Sequence, residues 1–208
     1  MTPRPDVSEE RKAQIFQAAL ACFGRKGYHL TTMDDIVAES GLSKGALYWY
    51  FESKKELFIS LCQETFEQFG QAWEAIASSE TSSATEKLLA SLEFFRTVMG
   101  EMVSFFGVIM EAWAQTRHDE DVESLVGEIY EPYLALMSGI IEEGIASGEF
   151  RVALESARPM AFVVMTLFDG ITLAFGTGLW QQDWNEIIDA AEKMVLRGLG
   201  VEDQRANE

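Results

Sequence analysis

Cysteine is scarce in this 208-residue chain, with Cys22 and Cys62 the only two. Each lies among apolar residues at helical spacing, so both read as small buried hydrophobes of a reducing cytoplasm rather than as a redox switch. Histidine is equally rare. His118 stands beside Asp119, Glu120 and Asp121, a run that reads as a solvated helix start rather than a metal site. Catalytic motifs are missing too: there is no GxGxxG, P-loop, HExxH or nucleophile elbow, and no local cluster of Ser, His and Asp. No catalytic residue, cofactor site or metal site is therefore assigned, and an enzyme is not expected. The first residues, MTPRPDVSEERK, lack the apolar stretch of a secretory signal, which points to the cytoplasm.

Positive charge is the other shortage. Lys and Arg number 16 against 34 Asp and Glu, a formal charge of −18. The distribution matters more than the total. Residues 1–55 hold eight basic and seven acidic side chains, leaving eight and 27 for the rest. A uniformly acidic protein would repel nucleic acid; here the acidity belongs to the C-terminal part.

Hydrophobic residues make up 48% of the chain and aromatics 12%, enough for a large core and too much for disorder. The apolar spacing is helical throughout, with no convincing strand. The fold class expected is all-α, about nine helices. Met160 to Trp180 is apolar enough to pass for a membrane span. It contains Asp169, three glycines and no one-sided basic flank, so it reads as a helix buried on nearly all sides, as at a dimer interface, with no membrane partner.

The chain is organised around Thr31 to Leu57, TTMDDIVAESGLSKGALYWYFESKKEL. Thr32 with Asp35 is close to a capping box for a short helix whose inward pair is Ile36 and Val37. Gly41 sits where the chain must turn with a positive φ. Ser43 caps a second short helix with Leu47 and Phe51 on one face. Two short helices across a Gly-containing turn describe a helix-turn-helix. Tyr48, Trp49 and Tyr50 cannot all point inward, and Lys44, Lys54 and Lys55 lie beside them. Small Gly45 and Ala46 let the first turn approach another surface. Such a helix suits a DNA major groove, with phenols and lysines on the backbone.

Gly24, Gly27-Tyr28, Thr31-Thr32, Ile36, Gly41, Ser43, Leu47-Tyr48, Tyr50-Phe51, Ser53-Lys54 and Leu57 resemble the N-terminal signature of the tetracycline-repressor (TetR) family from about Ile15 to Leu61. The resemblance implies a three-helix DNA-binding head over residues 1–55 and a larger helical ligand-binding and dimerisation domain over 56–208. It implies that Lys44, Gly45, Tyr48 and Trp49 approach bases or their sugar edges, and that Thr32, Ser43, Tyr50 and Lys54 bind phosphate. Met33 and Ala46 stand where some relatives carry a polar reader. Neither can donate a hydrogen bond, so they could only meet thymine methyls.

The remaining chain is read in order. The N-terminal arm holds Arg4. Ser8 caps the first helix, whose inward stripe is Ile15, Ala19, Cys22 and Phe23, and Gly27 stops it. Phe23, Ile36, Leu42, Leu47 and Phe51 form the head core. A fourth helix from Ser53 to about Ser78 connects head to body. The body spacing predicts separate helices over Ala84–Met99 and Glu101–Thr116, then Asp119–Ser147 ended by Gly148, Met160–Gly176, and Asn185–Leu199 with Ile187, Ile188, Ala191, Met194, Val195 and Leu199 inward.

The resemblance also implies a pocket for a small molecule among the body's aromatics and methionines: Phe94, Met102, Phe106, Met110, Trp113, Tyr133 and Phe162. Taken singly, each fits an ordinary core as well. Two carboxylates, Glu111 and Asp169, stand in apolar surroundings. Each either meets solvent, an Arg, a Tyr or a backbone group, or holds a cationic aromatic ligand. The last two helices carry more apolar surface than one contact needs, which suggests a homodimer paired through a four-helix bundle. Its two heads would read the half-sites of a pseudo-palindromic double-stranded operator.

The function expected is a ligand-responsive, sequence-specific transcriptional regulator, a repressor released by a small apolar or cationic-aromatic inducer. The competing reading is a helical small-molecule-binding protein or enzyme whose apparent helix-turn-helix is an αα-hairpin.

Overall fold

The computed structural model describes residues 7–116, 120–152, 157–178 and 182–201. The N-terminal arm with Arg4, and His118 with Asp119, lie outside them. Eight helices and no strand occur among the described residues: α1 (Val7–Leu30), α2 (Met33–Ser40), α3 (Lys44–Tyr50), α4 (Lys54–Ala77), α5 (Ala84–Thr116), α6 (Glu120–Ser147), α7 (Ala157–Gly176) and α8 (Trp184–Gly198). The chain divides into two compact units, Met1–Phe66 with Gly107–Leu125, and Glu67–Phe106 with Val126–Glu208.

In the first unit, the predicted stripe of α1 is inward: Ile15, Ala19, Cys22 and Phe23 are all buried. Ile36 of α2, Leu47 of α3, Phe51, and Leu57, Phe58 and Leu61 of α4 are buried in the same unit. Leu42, expected in this core, is only half-buried, because it lies in the turn. Phe23, Tyr28 and Phe58 form a ring cluster with centroids 4.9–6.0 Å apart. Two start and stop signals differ from expectation. Helix α1 begins at Val7, so Ser8 lies inside its first turn. At Gly27 the backbone leaves helical geometry (φ 76°, ψ 164°), yet helical turns resume to Leu30. The buried Thr31 hydroxyl spans the kink by donating to the carbonyls of Gly27 (2.7 Å) and Cys22 (3.2 Å). Burial pushes the Cys62 thiol up to about 12, as befits an inert apolar cysteine.

The second unit is built on a cluster containing Trp73, Leu88, Leu92, Phe95, Met137, Ile140, Ile141, Val164, Phe168, Ile188, Ala191 and Val195. The Trp73 indole donates to Ser91 Oγ at 2.9 Å, so the largest buried side chain has no unpaired polar atom. Arg96 of α5 reaches Asp189 (2.5 Å) and Glu192 (2.8 Å) of α8. Glu149, in the loop after α6, accepts from the first amides of α5, Ala84 N and Thr85 N, and its carboxyl is held at about 2 mainly by the Thr85 bonds.

Three expectations for the body are corrected. Residues Ala84–Met99 and Glu101–Thr116 are one helix rather than two. Helix α5 runs through Gly100, which the indole of Trp184 approaches closely: a Cβ there would sit 3.3 Å from Trp184 Nε1. Helix α7 is long and apolar enough to cross a membrane by length and composition, yet within one chain it is not buried on nearly all sides. Ala161, Val164, Met165, Phe168 and Thr172 face the core, while Phe162 (56%) and Val163 (58%) are exposed. Met194 of α8, expected inward, is 66% exposed. Single-chain packing covers only one face of each of these two helices.

Candidate functional site

The helix-turn-helix is assembled by local bonds. Thr32 Oγ1 accepts from Asp35 N at 3.2 Å while Asp35 Oδ2 accepts from Thr32 N at 2.9 Å, a complete capping box at the start of α2. The bond from Lys26, then those from Thr32, hold the Asp35 carboxyl at about 2. Helix α2 ends at Gly41, which is left-handed (φ 68°, ψ 9°) and donates to Val37 O at 3.1 Å. Ser43 Oγ accepts from Ala46 N at 3.1 Å to start α3. Leu47, fully buried, anchors α3 against the head core.

With Leu47 inward, Lys44, Gly45, Tyr48 and Trp49 share the outward face, at the spacing of helix neighbours. Tyr48 is 40% exposed and Trp49 75%. No atom outside the helix lies within 4 Å of a Cβ built on Gly45, so the first turn is open to close approach. The Lys44 ammonium pairs with Asp34 Oδ1 at 2.7 Å and lies 5.8 Å from the centre of the Tyr48 ring. That bond with Asp34 raises the lysine's pKa. Tyr50 turns toward α1, its hydroxyl 3.5 Å from Ser8 Oγ, with the Trp49 ring edge-on at 4.7 Å. Thr32 and Ser43 are exposed; Met33 and Ala46 are half-buried.

Lys54, expected at phosphate, has partners within its own chain. Its ammonium donates to the carbonyls of Tyr28 (2.6 Å), His29 (3.1 Å) and Thr31 (2.8 Å), and lies 4.4 Å from the centre of the Tyr28 ring. The other residues expected at the DNA remain on or beside the α2–α3 surface. Asp34 is a participant that sequence reasoning missed. Its only signal was an acidic residue next to the helix cap, which reads equally well as a favourable helix-dipole charge.

In the second unit the carboxylate of Asp169, half-buried on α7, accepts from the Tyr130 hydroxyl of α6 at 2.9 Å. Burial pushes this carboxyl up to about 6, with the Tyr130 bond acting the other way. Burial first, then the neighbouring carboxylate, raises the Tyr130 phenol. Among the ordinary partners expected for Asp169, a tyrosine is present. Tyr133 stacks on Trp73 at 5.3 Å, with its hydroxyl beside Gly70. Phe94 packs against the core cluster. Phe162 faces outward and does not join these residues. The side chains of Met102, Phe106, Met110, Glu111 and Trp113 lie outside the described residues. Among the described residues no group of three or more His, Cys, Asp and Glu is placed to hold a metal.

A helix-turn-helix with an aromatic, lysine-bearing outer face, followed by a helical body, defines a class of DNA-binding regulator. The model for bacterial regulatory proteins of the tetR family matches residues 15–61. The HTH-type transcriptional regulator TtgR of Pseudomonas putida is 34% identical over 202 residues, 93% of this chain and 92% of that protein. The fatty acid metabolism regulator protein of Bacillus subtilis is 31% identical over 153 residues, 72% of this chain and 76% of that one. Among solved structures, a transcriptional regulator from Saccharomonospora viridis in complex with choline superposes with a TM-score of 0.80 at 20% identity, covering 94% of this chain and 100% of that one. The regulator FadR from Bacillus subtilis in complex with stearoyl-CoA does so at 0.73 and 24%, covering 89% and 98%. The chain belongs to the TetR family and is a DNA-binding transcriptional regulator.

Proposed function

We propose that the chain is a cytoplasmic homodimeric repressor with no enzymatic activity. Residues 1–55 act as a head that binds one half-site of a pseudo-palindromic operator, and residues 56–208 act as the ligand-sensing and dimerising body. The observation that carries the reading is the outward face of α3, where Lys44, Tyr48 and Trp49 stand together and exposed. Exposed aromatics beside a lysine cost solubility unless a partner uses them. Lys44 is the main base reader, and Thr32, Ser43 and Tyr50 support the backbone. The exposed Phe162, Val163 and Met194 support pairing of two chains through α7 and α8. Phe162 fits that pairing better than the lining of a pocket.

The inducer is a cationic aromatic molecule. Relatives in solved structures hold both kinds of charge: choline in one, stearoyl-CoA in another. Two features favour the cation here. Residues 56–208 hold 27 acidic against eight basic residues, and Lys87, Arg96 and Arg158 are already paired with carboxylates. Asp169 supplies a half-buried carboxylate near aromatic side chains, a setting that suits an organic cation. The inducer binds better to a form whose heads are spaced wrongly for two half-sites, so operator affinity falls.

The test is a titration of the protein against its own upstream DNA and a scrambled duplex at two salt concentrations, followed by addition of a cationic aromatic dye, choline or stearoyl-CoA to the complex. Salt-sensitive preference for the native duplex is expected, with release by the dye. Release by stearoyl-CoA alone would assign the acyl class instead. Equal binding to both duplexes would remove the repressor reading at this site.

A further inference from the structure

Lys54 is the first residue of α4 and points back at the junction between α1 and α2. That junction carries a built-in problem. Gly27 takes the chain out of helical geometry, and the short helical stretch that resumes to Leu30 ends just before Thr32, the cap of α2. Carbonyls at such a helix end have lost their intrahelical partners and carry partial negative charge. Tyr28 and Thr31 are buried, so water cannot serve them freely. An ammonium has three N–H donors and no acceptor. Lys54 directs its ammonium at three of these carbonyls, those of Tyr28, His29 and Thr31, at 2.6, 3.1 and 2.8 Å. The Tyr28 ring beneath it, at 4.4 Å, is itself held against Phe58 of α4 at 4.9 Å.

We infer that Lys54 is a positioning residue for DNA recognition: it ties the start of α4 to the α1–α2 junction and so sets where Thr32 and the recognition helix stand, without gripping phosphate itself. Gripping a phosphate would require the ammonium to leave three carbonyls, two of them on buried residues. Arginine would not replace it, because a planar guanidinium cannot converge on three carbonyls as an ammonium does. The inference rests on the head being the DNA-binding part.

Acetic anhydride footprinting of the wild-type protein, read by mass spectrometry, tests this without a mutation. In the free protein Lys54, held by three carbonyls, should react on the order of tenfold more slowly than Lys44, whose ion pair with Asp34 is exposed. Operator DNA should then protect Lys44 and leave Lys54 unchanged. If Lys54 reacts as fast as Lys44 when free, or becomes protected only when DNA is added, the inference is wrong. A second measurement uses Lys54→Gln. Its operator affinity should fall about tenfold, with a lower melting temperature, while the slope of log K against log salt keeps its wild-type value. A slope shallower by about 0.9 is what one lost phosphate contact produces, and it overturns the inference whatever the melting temperature does. Absence of DNA binding by the wild type would count against the head's role instead, and the free-protein footprint would still decide whether the clamp exists.

Discussion

The Lys44 ammonium, on the outward face of the recognition helix, is paired at 2.7 Å with the carboxylate of Asp34 on the neighbouring helix. Both side chains are more than half exposed. The lysine proposed to read a base is therefore already paired in the free protein, and on that proposal DNA must compete with Asp34 for it.

Asp34→Asn should tighten binding to native and scrambled duplexes alike, by up to about fivefold, the range of an exposed ion pair. The gain should shrink as salt rises. Lys44→Ala should instead reduce the ratio of native to scrambled affinity. Anisotropy titrations of both variants against both duplexes check this; an unchanged ratio for Lys44→Ala would remove its role as reader.

The capping box of α2 makes the head acid-sensitive. The folded-state carboxyl of Asp35 lies at about 2, below its ordinary 3.8, so its contribution is fully present above pH 4 and is lost as pH falls toward 2. Asp35→Asn should flatten the change in Trp49 fluorescence over that window. Thr32→Ala, which removes the other half of the box, should destabilise the protein by about 1 kcal/mol in a urea titration at pH 7.

Asp169 has the opposite sign. Its folded-state carboxyl is raised to about 6, so the folded chain holds its proton more tightly than the unfolded chain. Stability should therefore be greater below pH 4 than this group allows above pH 6, declining through the interval between. Asp169→Asn keeps an acceptor for Tyr130 and removes the charge. It should raise stability at pH 7 by about 1–3 kcal/mol and flatten the pH profile between 4 and 6. If Asp169 also holds the cationic inducer, the same variant loses release by a cationic dye, which the titration of the operator complex reads directly.

The exposed faces of α7 and α8 should respond to charge. Phe162→Glu or Met194→Glu adds little strain to one chain, since both positions are exposed. Sedimentation should show a shift from dimer to monomer. Operator affinity should fall by well over tenfold, because a single head loses the benefit of a linked second one. A monodisperse dimer in both variants would place the interface elsewhere.

The recognition unit was legible because its determinants are local. Thr32 with Asp35, Gly41 and Ser43 each act on residues within four positions of themselves, and the bonds they were expected to make are present. The aromatic run after Ser43 was equally readable: a seven-residue helix has one inward face, Leu47 fills it, and Tyr48 and Trp49 are left outside. The helical character of the body followed from apolar periodicity alone.

What the chain order could not convey was who meets whom. The helices expected over Ala84–Met99 and Glu101–Thr116 are one, and the residue beside Gly100 between them, Trp184, lies far along the chain. The carbonyl partners of Lys54 could not be foreseen, because nothing nearby in sequence shows that Tyr28 to Thr31 fold back onto it. The partners of Lys44 and Asp169 lie on other helices, at separations that no periodicity encodes. Periodicity says which side of a helix is apolar, but not what covers it; that is why Phe162 and Met194 could be recognised as apolar and not as exposed. Caps, turns and faces are short-range properties that the sequence determines by itself, whereas the pairing of charges and the covering of faces depend on long-range packing, which only the tertiary structure decides.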